Sequence, residues 1–397
     1  MPWIEVKPMD AKILFISDWI RGQYNISELC RRHRISRKTG YKWINRYQEM
    51  GVDGLQDQSR RPAHSPEQVS YTTRKEIIAI RKKHKTWGAR KIGQVMRKAH
   101  GDWDIPSHTT INKVLKQKGL LSPQRRRQRV PVHTGPLSPA DQPNELWTVD
   151  FKGQFKTNDG VYCYPLTVMD HASRYLLGCE GFYGTRYKET RKSFEKLFRE
   201  HGLPDRIRSD NGVPFASKSI GGLSRLSIWW IRLGILPERI EPGKPQQNGR
   251  HERMHRTLKQ ETARPPARNM EQQQKRLNAF RKQYNEVRPH EGLDLHSPAS
   301  VYRQSERSFP KRLPEMTYPG HFREGLVNHN GCVYIKNNQY YIGYLLRGEL
   351  LGLEEIDDGV WKVYFGPMLL GEVREHMEKV CNKSVTYVPL RFCNLCP

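Results

Sequence analysis

Three short stretches carry side chains that could do chemistry. His251-Glu252-Arg253-Met254-His255 reads HERMH and matches H-E-x-x-H, in which two histidines one helical turn apart bind zinc and the glutamate is the base. Asp150 stands in LWTVDF, a run otherwise suited to a buried strand. Asp210 stands in IRSDNG, where a strand would give way to a turn. The chemistry depends on whether Glu252 belongs with the histidines beside it or with the two distant aspartates.

The zinc protease reading needs a third ligand and an apolar helix around the histidines. Gly249 stands just ahead, RHERMHRTLKQE is basic throughout, and RPPARN interrupts the helix before Glu271, the third ligand on offer. The acids also have plain structural roles open to them. Asp150 could be an edge-strand acid, Asp210 could close an Asx-turn on Asn211-Gly212, and Glu252 could favour its helix N-terminus electrostatically. Together they suggest a metal site. Carboxylate oxygens are the hard ligands that Mg2+ or Mn2+ prefers. Two such ions about 3.5–4 Å apart can activate one oxygen and stabilise another in an in-line phosphoryl displacement. Three carboxylates balance most of that charge, and the remainder suits a phosphate. Asp170, in VMDHASR, is a further strand acid and a lesser candidate.

The charge of the whole chain agrees. Among 397 residues, 68 are Lys or Arg and 41 are Asp or Glu, a formal net charge of +27. Such an excess favours polyanionic partners, nucleic acid first. No run of eighteen apolar residues indicates a membrane span, and the N-terminus lacks a signal-peptide pattern, so the expected place is the cytoplasm. Seven scattered cysteines suit a reducing compartment. Cys393 and Cys396 form a single C-x-x-C without the second pair of a zinc site.

The elements that must position these groups follow from local pattern. In KILFISDWIR, Ile13, Ile16 and Ile20, with Phe15 and Trp19, have helical spacing. A short helix over about 27–33, a turn at Arg34-Ile35, an N-cap at Ser36 and a helix ending at Met50 before Gly51 make a helix-turn-helix. Arg37, Lys38, Lys42 and Arg46 fall on one side of its second helix, facing phosphates and base edges; Trp43, Ile44 and Tyr47 fall on the core side. After a polar linker, a second helix-turn-helix is expected over 66–122, with Trp87 in its core. Residues 123–143 are a basic linker whose Arg125, Arg126 and Arg127 can lie along a DNA backbone. From Asn144, three antiparallel strands, a helix, a strand and further helices give an α/β order over 144–303. Alternating strands around Asn-Asn and Asp-Gly turns over 313–378 predict a small antiparallel barrel.

LWTVDF, RSDNGVPF and PGKPQQNGRHERMHRTLK resemble the D, D-N-G and P-x-x-N-G-x-x-E motifs of bacterial insertion-sequence transposases with a retroviral-integrase-type core. ISRKTGYKWINRY, GLQDQSRRP, WGARKI, YNEVRPHEGLDLHSPASVY and YPGHFREG are similar to that family too, so the resemblance spans nearly the whole chain. It implies N-terminal helix-turn-helix units (the first over 1–60), an RNase H-like core and a C-terminal SH3-like barrel. It implies a D-D-E triad of Asp150, Asp210 and Glu252 holding two Mg2+ or Mn2+ ions. The implied activity is cleavage at transposon terminal inverted repeats and joining of the 3′-OH ends to target DNA, by a dimer or larger assembly on DNA. A DNA-binding regulator without a working active site is the alternative.

The 41 residues between Asp210 and Glu252 exceed the usual spacing of about 35, and GGLSRLSIWW is expected to supply the excess within a helix. Arg34 stands where the helix-turn-helix turn usually takes Gly, so a different turn is expected there. Lys259, two turns after Glu252 on the same face, is expected to reach a DNA phosphate. Asn211 either orients the Asp210 loop or touches DNA, Asn248 caps the Glu252 helix, Arg288 and His290 fix the exit of the following helix, and His251 and His255 lie on the helix surface.

Overall fold

The computed structural model describes residues 8–57, 68–121, 139–217, 219–241 and 245–375. The chain forms two compact units, Met1–Val69 and Ser70–Pro397. Arg125, Arg126, Arg127, Cys393 and Cys396 lie outside the described residues.

The first unit packs α1 (Pro8–Ile20), α2 (Ile26–Arg32) and α3 (Arg37–Met50) around Phe15, Ile16, Leu29, Cys30, Trp43, Ile44 and Leu55. Only part of the α1 stripe goes inward, since Ile13 and Ile20 remain exposed. Ser36 caps α3 by accepting from the Thr39 amide, and Gly51 ends it at φ +61°. The expected change of turn does not occur. Arg34 itself takes φ +52°, and the Ile35 amide donates back to the Cys30 carbonyl at 3.0 Å. Arg thus occupies the left-handed position that Gly fills without Cβ strain.

The second unit begins with another helical domain, α4 (Tyr71–Lys83), α5 (Ala89–Ala99) and α6 (His108–Gln117). Its core holds Ile77, Ile92, Met96, Ile111 and Leu115, with Trp87 fully buried among them.

The central sheet contains β1 (Leu146–Phe151), β2 (Phe155–Lys156), β3 (Tyr162–Asp170), β4 (Leu176–Phe182), β5 (Arg206–Ser209) and β6 (Leu236–Arg239). The strand order is β4-β3-β1-β5-β6, with β2 also paired to β3. Strands β3 and β4 run antiparallel, whereas β1, β5 and β6 are parallel. This is the RNase H-like arrangement. Helices α7 (Tyr187–His201) and α8 (Arg225–Arg232) cover one face, and α9 (Gly249–Thr262) and α10 (Met270–Glu286) the other. GGLSRLSIWW forms a short turn and the first part of α8. Strand alternation assigns the faces. Trp147 and Val149 join the core under α7 and α8, which leaves Thr148 and Asp150 for the α9 side.

The C-terminal part differs from the expected barrel. Strands β7 (Arg323–Leu326), β10 (Leu350–Asp357), β11 (Val360–Phe365) and β12 (Met368–Arg374) form an open sheet, ordered β12-β11-β10-β7. β8 (Cys332–Ile335) and β9 (Asn338–Tyr341) form a separate hairpin. Among the described residues no pairing closes the sheet. The physical reason is the cover available to its apolar face. Leu351, Leu353, Val363 and Phe365 share one core with the hairpin's Val333 and Ile335 and with Ile228 and Ile231 of α8, so burial is achieved without closure. Among the described residues no helix is long and apolar enough to cross a membrane.

Candidate active site

Parallel pairing brings the two aspartates together. Leu146, Trp147 and Thr148 of β1 face Arg206, Ile207 and Arg208 of β5. Continued two residues, this register takes β1 to Asp150 and β5 to Asp210, the residue just past its end, and neighbouring strands lie about 4.8 Å apart. Burial pushes the Asp150 carboxyl up to about 7, the nearby charges of Asp210 and Glu252 push it the same way, and Lys152 opposes them. All three acids therefore act on one region, although they come from β1, the end of β5 and α9.

Asp210 also makes the local turn considered for it: Oδ1 accepts from the Gly212 amide at 3.1 Å. Asn211 Nδ2 donates to the Ile240 carbonyl at 2.9 Å, tying this loop to the end of β6. Glu252 is exposed in the first turn of α9, and Lys259 is exposed two turns later. Asn248 occupies the N-cap position of α9, but its side chain makes no capping hydrogen bond.

The two histidines are not on the surface. His251 and His255 are buried, at 0% and 4% exposure, because His251, Met254, His255, Leu258 and Thr262 form the inward stripe of α9. A helix rises about 6 Å over four residues, close to the ~6.6 Å between alternate strand residues. His251 and His255 thereby meet Thr148 and Asp150. His251 Nδ1 is 2.8 Å from Thr148 Oγ1, and His255 Nδ1 is 3.4 Å from Asp150 Oδ2. Their Nε2 atoms lie 2.7 and 2.6 Å from Thr167 Oγ1, on the β3 residue paired with Asp150. Burial lowers His251 to about 3 and His255 well below the usual imidazole range, so both rings are neutral near pH 7. Threonines engage both nitrogens of His251, which leaves the HERMH zinc reading without its first ligand. Among the described residues no three His, Cys, Asp or Glu side chains are grouped closely enough to hold a metal ion; Asp150, Asp210 and Glu252 share a field rather than a closed cage.

A buried brace lies behind the acids. Arg208 of β5 pairs with Glu238 of β6 at 2.9 Å and donates to the Gln247 carbonyl at 3.2 Å, just before α9. Asp170 belongs elsewhere. It sits opposite Trp147 rather than Asp150, and its oxygens accept from the Asn144 and Ser173 amides at 2.8 Å. Arg288 pairs with Glu261 of α9 at 3.0 Å, and the His290 ring packs against Tyr284 at the α10 exit. In the first unit, Arg37, Lys38 and Lys42 are exposed on α3 and Arg46 is half-buried; Lys42 and Arg46 lie over the Trp43 ring at 4.5 and 5.2 Å.

The sequence reading missed Thr148, Thr167, Arg208 and Glu238 and placed the histidines wrongly. A signal for the histidines was present: positions 251, 254, 255, 258 and 262 repeat at helical spacing, which puts them on the stripe of Met254 and Leu258.

Two family models described as an integrase core domain match residues 140–245 and 233–298. A helix-turn-helix domain matches 12–63, and a homeodomain-like domain matches 39–115. The chain is 24% identical over 296 residues to the insertion element IS476 uncharacterized 39.2 kDa protein of Xanthomonas euvesicatoria, covering 71% of this chain and 79% of that one. It is 25% identical over 232 residues to the insertion element IS407 uncharacterized 31.7 kDa protein of Burkholderia multivorans, covering 56% and 78%. The solved HTLV-2 integrase catalytic core domain in complex with magnesium is 16% identical, with a TM-score of 0.32, and covers 41% of this chain and 98% of that one. Helix-turn-helix matches ahead of integrase-core matches, with relatives from two insertion elements, support an insertion-sequence transposase of the DDE, retroviral-integrase-like class.

Proposed function

We propose that this transposase binds the terminal inverted repeats of its element, hydrolyses a phosphodiester bond at each end, and joins the freed 3′-OH to target DNA. The observation that supports this reading is the repulsion that Asp210 and Glu252 exert on Asp150, in line with the parallel register of β1 and β5 that runs toward the two aspartates. Asp150, Asp210 and Glu252 would hold two Mg2+ or Mn2+ ions. Such ions stabilise charge on the attacking and leaving oxygens of an in-line displacement. Oxygen donors suit these cations, and converging carboxylates would be relieved of repulsion by them.

The protein supplies the rest. Asp210 is held by its own turn through Gly212, and the Asn211 anchor on Ile240 fixes the loop. Lys259, exposed two turns after Glu252 on α9, would meet a DNA phosphate. Arg37, Lys38, Lys42 and Arg46 on α3 carry recognition of the end sequence, and Arg125, Arg126 and Arg127 add charge along the backbone. Joining two ends calls for at least two copies on DNA, acting in the cytoplasm on the nucleoid.

The test is a cleavage and strand-transfer assay on duplexes of the element's terminal repeats, with Mg2+ or Mn2+. Asp150→Asn and Glu252→Gln are each expected to abolish both products while end binding persists. Full activity in either variant would overturn the proposal. Specific end binding by the natural protein without metal-dependent nicking would establish the DNA-binding regulator instead.

A further inference from the structure

We propose that Arg174, Arg250 and Arg253 form a subsite for a backbone phosphate of duplex DNA, centred on the β3–β4 turn and the start of α9. The inference rests on the reading that this chain binds DNA.

Three elements bring the guanidinium groups together. Arg174 stands in the turn between β3 and β4. It is half-buried and takes φ +61°, a left-handed conformation that strains a residue with a Cβ. Its guanidinium lies on the backbone of the loop after α10: a Cβ at Gly292 would stand 2.5 Å from Nη2 and 3.0 Å from Cζ. Arg250, in the first turn of α9, donates from Nη1 to the His171 carbonyl of the same β3–β4 turn at 2.9 Å. Arg253 follows by three residues, which puts the two Cβ atoms about 5–6 Å apart on the helix surface. At roughly 100° per residue, Arg250 and Glu252 fall on opposite sides of the inward stripe, with Arg253 on the outer surface nearer Arg250. The subsite is therefore distinct from the three acids.

The chain offers these cations little counter-charge. Among the described residues the Arg174 guanidinium has no hydrogen-bond or ion-pair partner, and its Nε is buried. The Arg253 side chain has none either. Burial, then the charges of Arg250 and Arg253, oppose the Arg174 cation, while the Tyr284 hydroxyl favours it. The acid nearest in sequence, Asp170, is taken by the Asn144 and Ser173 amides at 2.8 Å. Glu261 is taken by Arg288 and Thr86. Exposed Glu291 acts on Lys91 of α5, which is itself half-buried. Burial, then Arg288, pushes Lys91 down to about 8, and Arg253 pushes it the same way. The basic field thus runs on from α9 to the α4–α6 domain. Charged groups buried without partners are costly, and like charges repel. A phosphate relieves both, because guanidinium forks match its oxygens. Arg250 and Arg253 are exposed, so a DNA backbone can reach the group from solvent, and the net charge of +27 draws duplex DNA to the protein.

The test is a fluorescence-anisotropy titration of the full-length protein with two duplexes of equal length over a salt series. One duplex carries the element's terminal repeat and the other an unrelated sequence, and thermal unfolding is recorded in parallel. Lys192→Gln, at an exposed position of α7 on the other face of the sheet, is the charge-matched control. Arg253→Gln and Arg174→Gln are each expected to bind about tenfold more weakly, at the natural unfolding temperature. The slope of log affinity against log salt should fall by about one in each. Lys192→Gln should do neither. If Arg174→Gln does not fold, Arg250→Gln combined with Arg253→Gln takes its place and should lose at least as much as Arg253→Gln alone. Loss on the repeat duplex alone assigns the phosphate to the transposon end, loss on the unrelated duplex alone to target DNA, and loss on both to a backbone contact that the two share. Natural protein that binds either duplex, alongside Arg variants of unchanged affinity and slope, would overturn the subsite alone. So would losses equalled by Lys192→Gln, or losses confined to variants with lowered unfolding temperatures. Natural protein that binds neither duplex would overturn the DNA-binding reading and this inference with it.

Discussion

Arg208 and Glu238 meet inside the protein, with the guanidinium Nη2 2.9 Å and Nε 3.2 Å from the same carboxylate oxygen. Their side chains are 4% and 6% exposed. Arg208 precedes Asp210 by two residues, and its Nη1 reaches the Gln247 carbonyl at the entry to α9. One side chain thus ties the strand leading to Asp210 to the helix carrying Glu252. Removing one partner strands a buried charge. Glu238→Gln and Arg208→Met should each cost about 3–5 kcal/mol, and the double variant much less than the sum. Urea unfolding of the three variants measures this. Additive costs would show that the pair is not a unit.

How far this architecture was legible depends on whether the signal was local. Within LWTVDF, apolar and polar residues alternate over the five from Trp147 to Phe151, so their division between two faces is a local signal. The stripe of α9 was equally local, but the basic residues around it made His251 and His255 look exposed. Arg208 was harder to read. In IRSDNG it is one charged residue beside a turn, and its partner Glu238 lies 30 positions away on a strand reached only after α8. Thr167 likewise became informative only when β3 paired with β1. The small barrel, which no strand pairing closes among the described residues, was hard to judge for a related reason. Alternation identifies an apolar strand face but not its cover, and here part of the cover is Ile228 and Ile231 from the core.

Asp150 should make the metal-free protein less stable as pH rises. Burial, then Asp210 and Glu252, raise its carboxyl from 3.8 to about 7 in the folded state. The folded protein therefore holds this proton more tightly than the unfolded chain does. The penalty is absent below about pH 4, grows between about 4 and 7, and is complete above the folded value. Three pH units correspond to a contribution on the order of 4 kcal/mol. Asp150→Asn should remove this part of the pH dependence. Urea midpoints at pH 5 and pH 8 in EDTA test it, and parallel shifts in the natural and variant proteins would refute it.

Arg34 carries a conformational cost that a single change relieves. Its φ of +52° is unfavourable for a residue with a Cβ by about 1–2 kcal/mol, whereas Gly takes it freely at some cost in unfolded-state entropy. Arg34→Gly should therefore stabilise the α2–α3 unit by about 0.5–1 kcal/mol. Amide exchange of α2 and α3 should slow by about two- to fivefold, with no change in the central sheet. Unchanged or faster exchange would show that the Arg34 side chain makes up for its backbone.

Arg288 joins three elements of the second unit. Its Nη1 lies 3.0 Å from Glu261 of α9 and 3.2 Å from Thr86, in the loop between α4 and α5. Thr86 also donates to Glu261, and His84 accepts from Gln283 of α10 at 2.8 Å. The sequence reading gave Arg288 the exit of α10 alone, but the residue also fastens the helical domain of α4–α6 to the catalytic core. Arg288→Leu leaves the half-buried Glu261 without its cation, at a cost of about 1.5–3 kcal/mol for charged hydrogen bonds. The loss should be local. Amides over 84–90 should exchange about tenfold faster, whereas β1 and β3 of the central sheet should change little. A uniform acceleration across the sheet would mean that Arg288 supports the core itself rather than the seam.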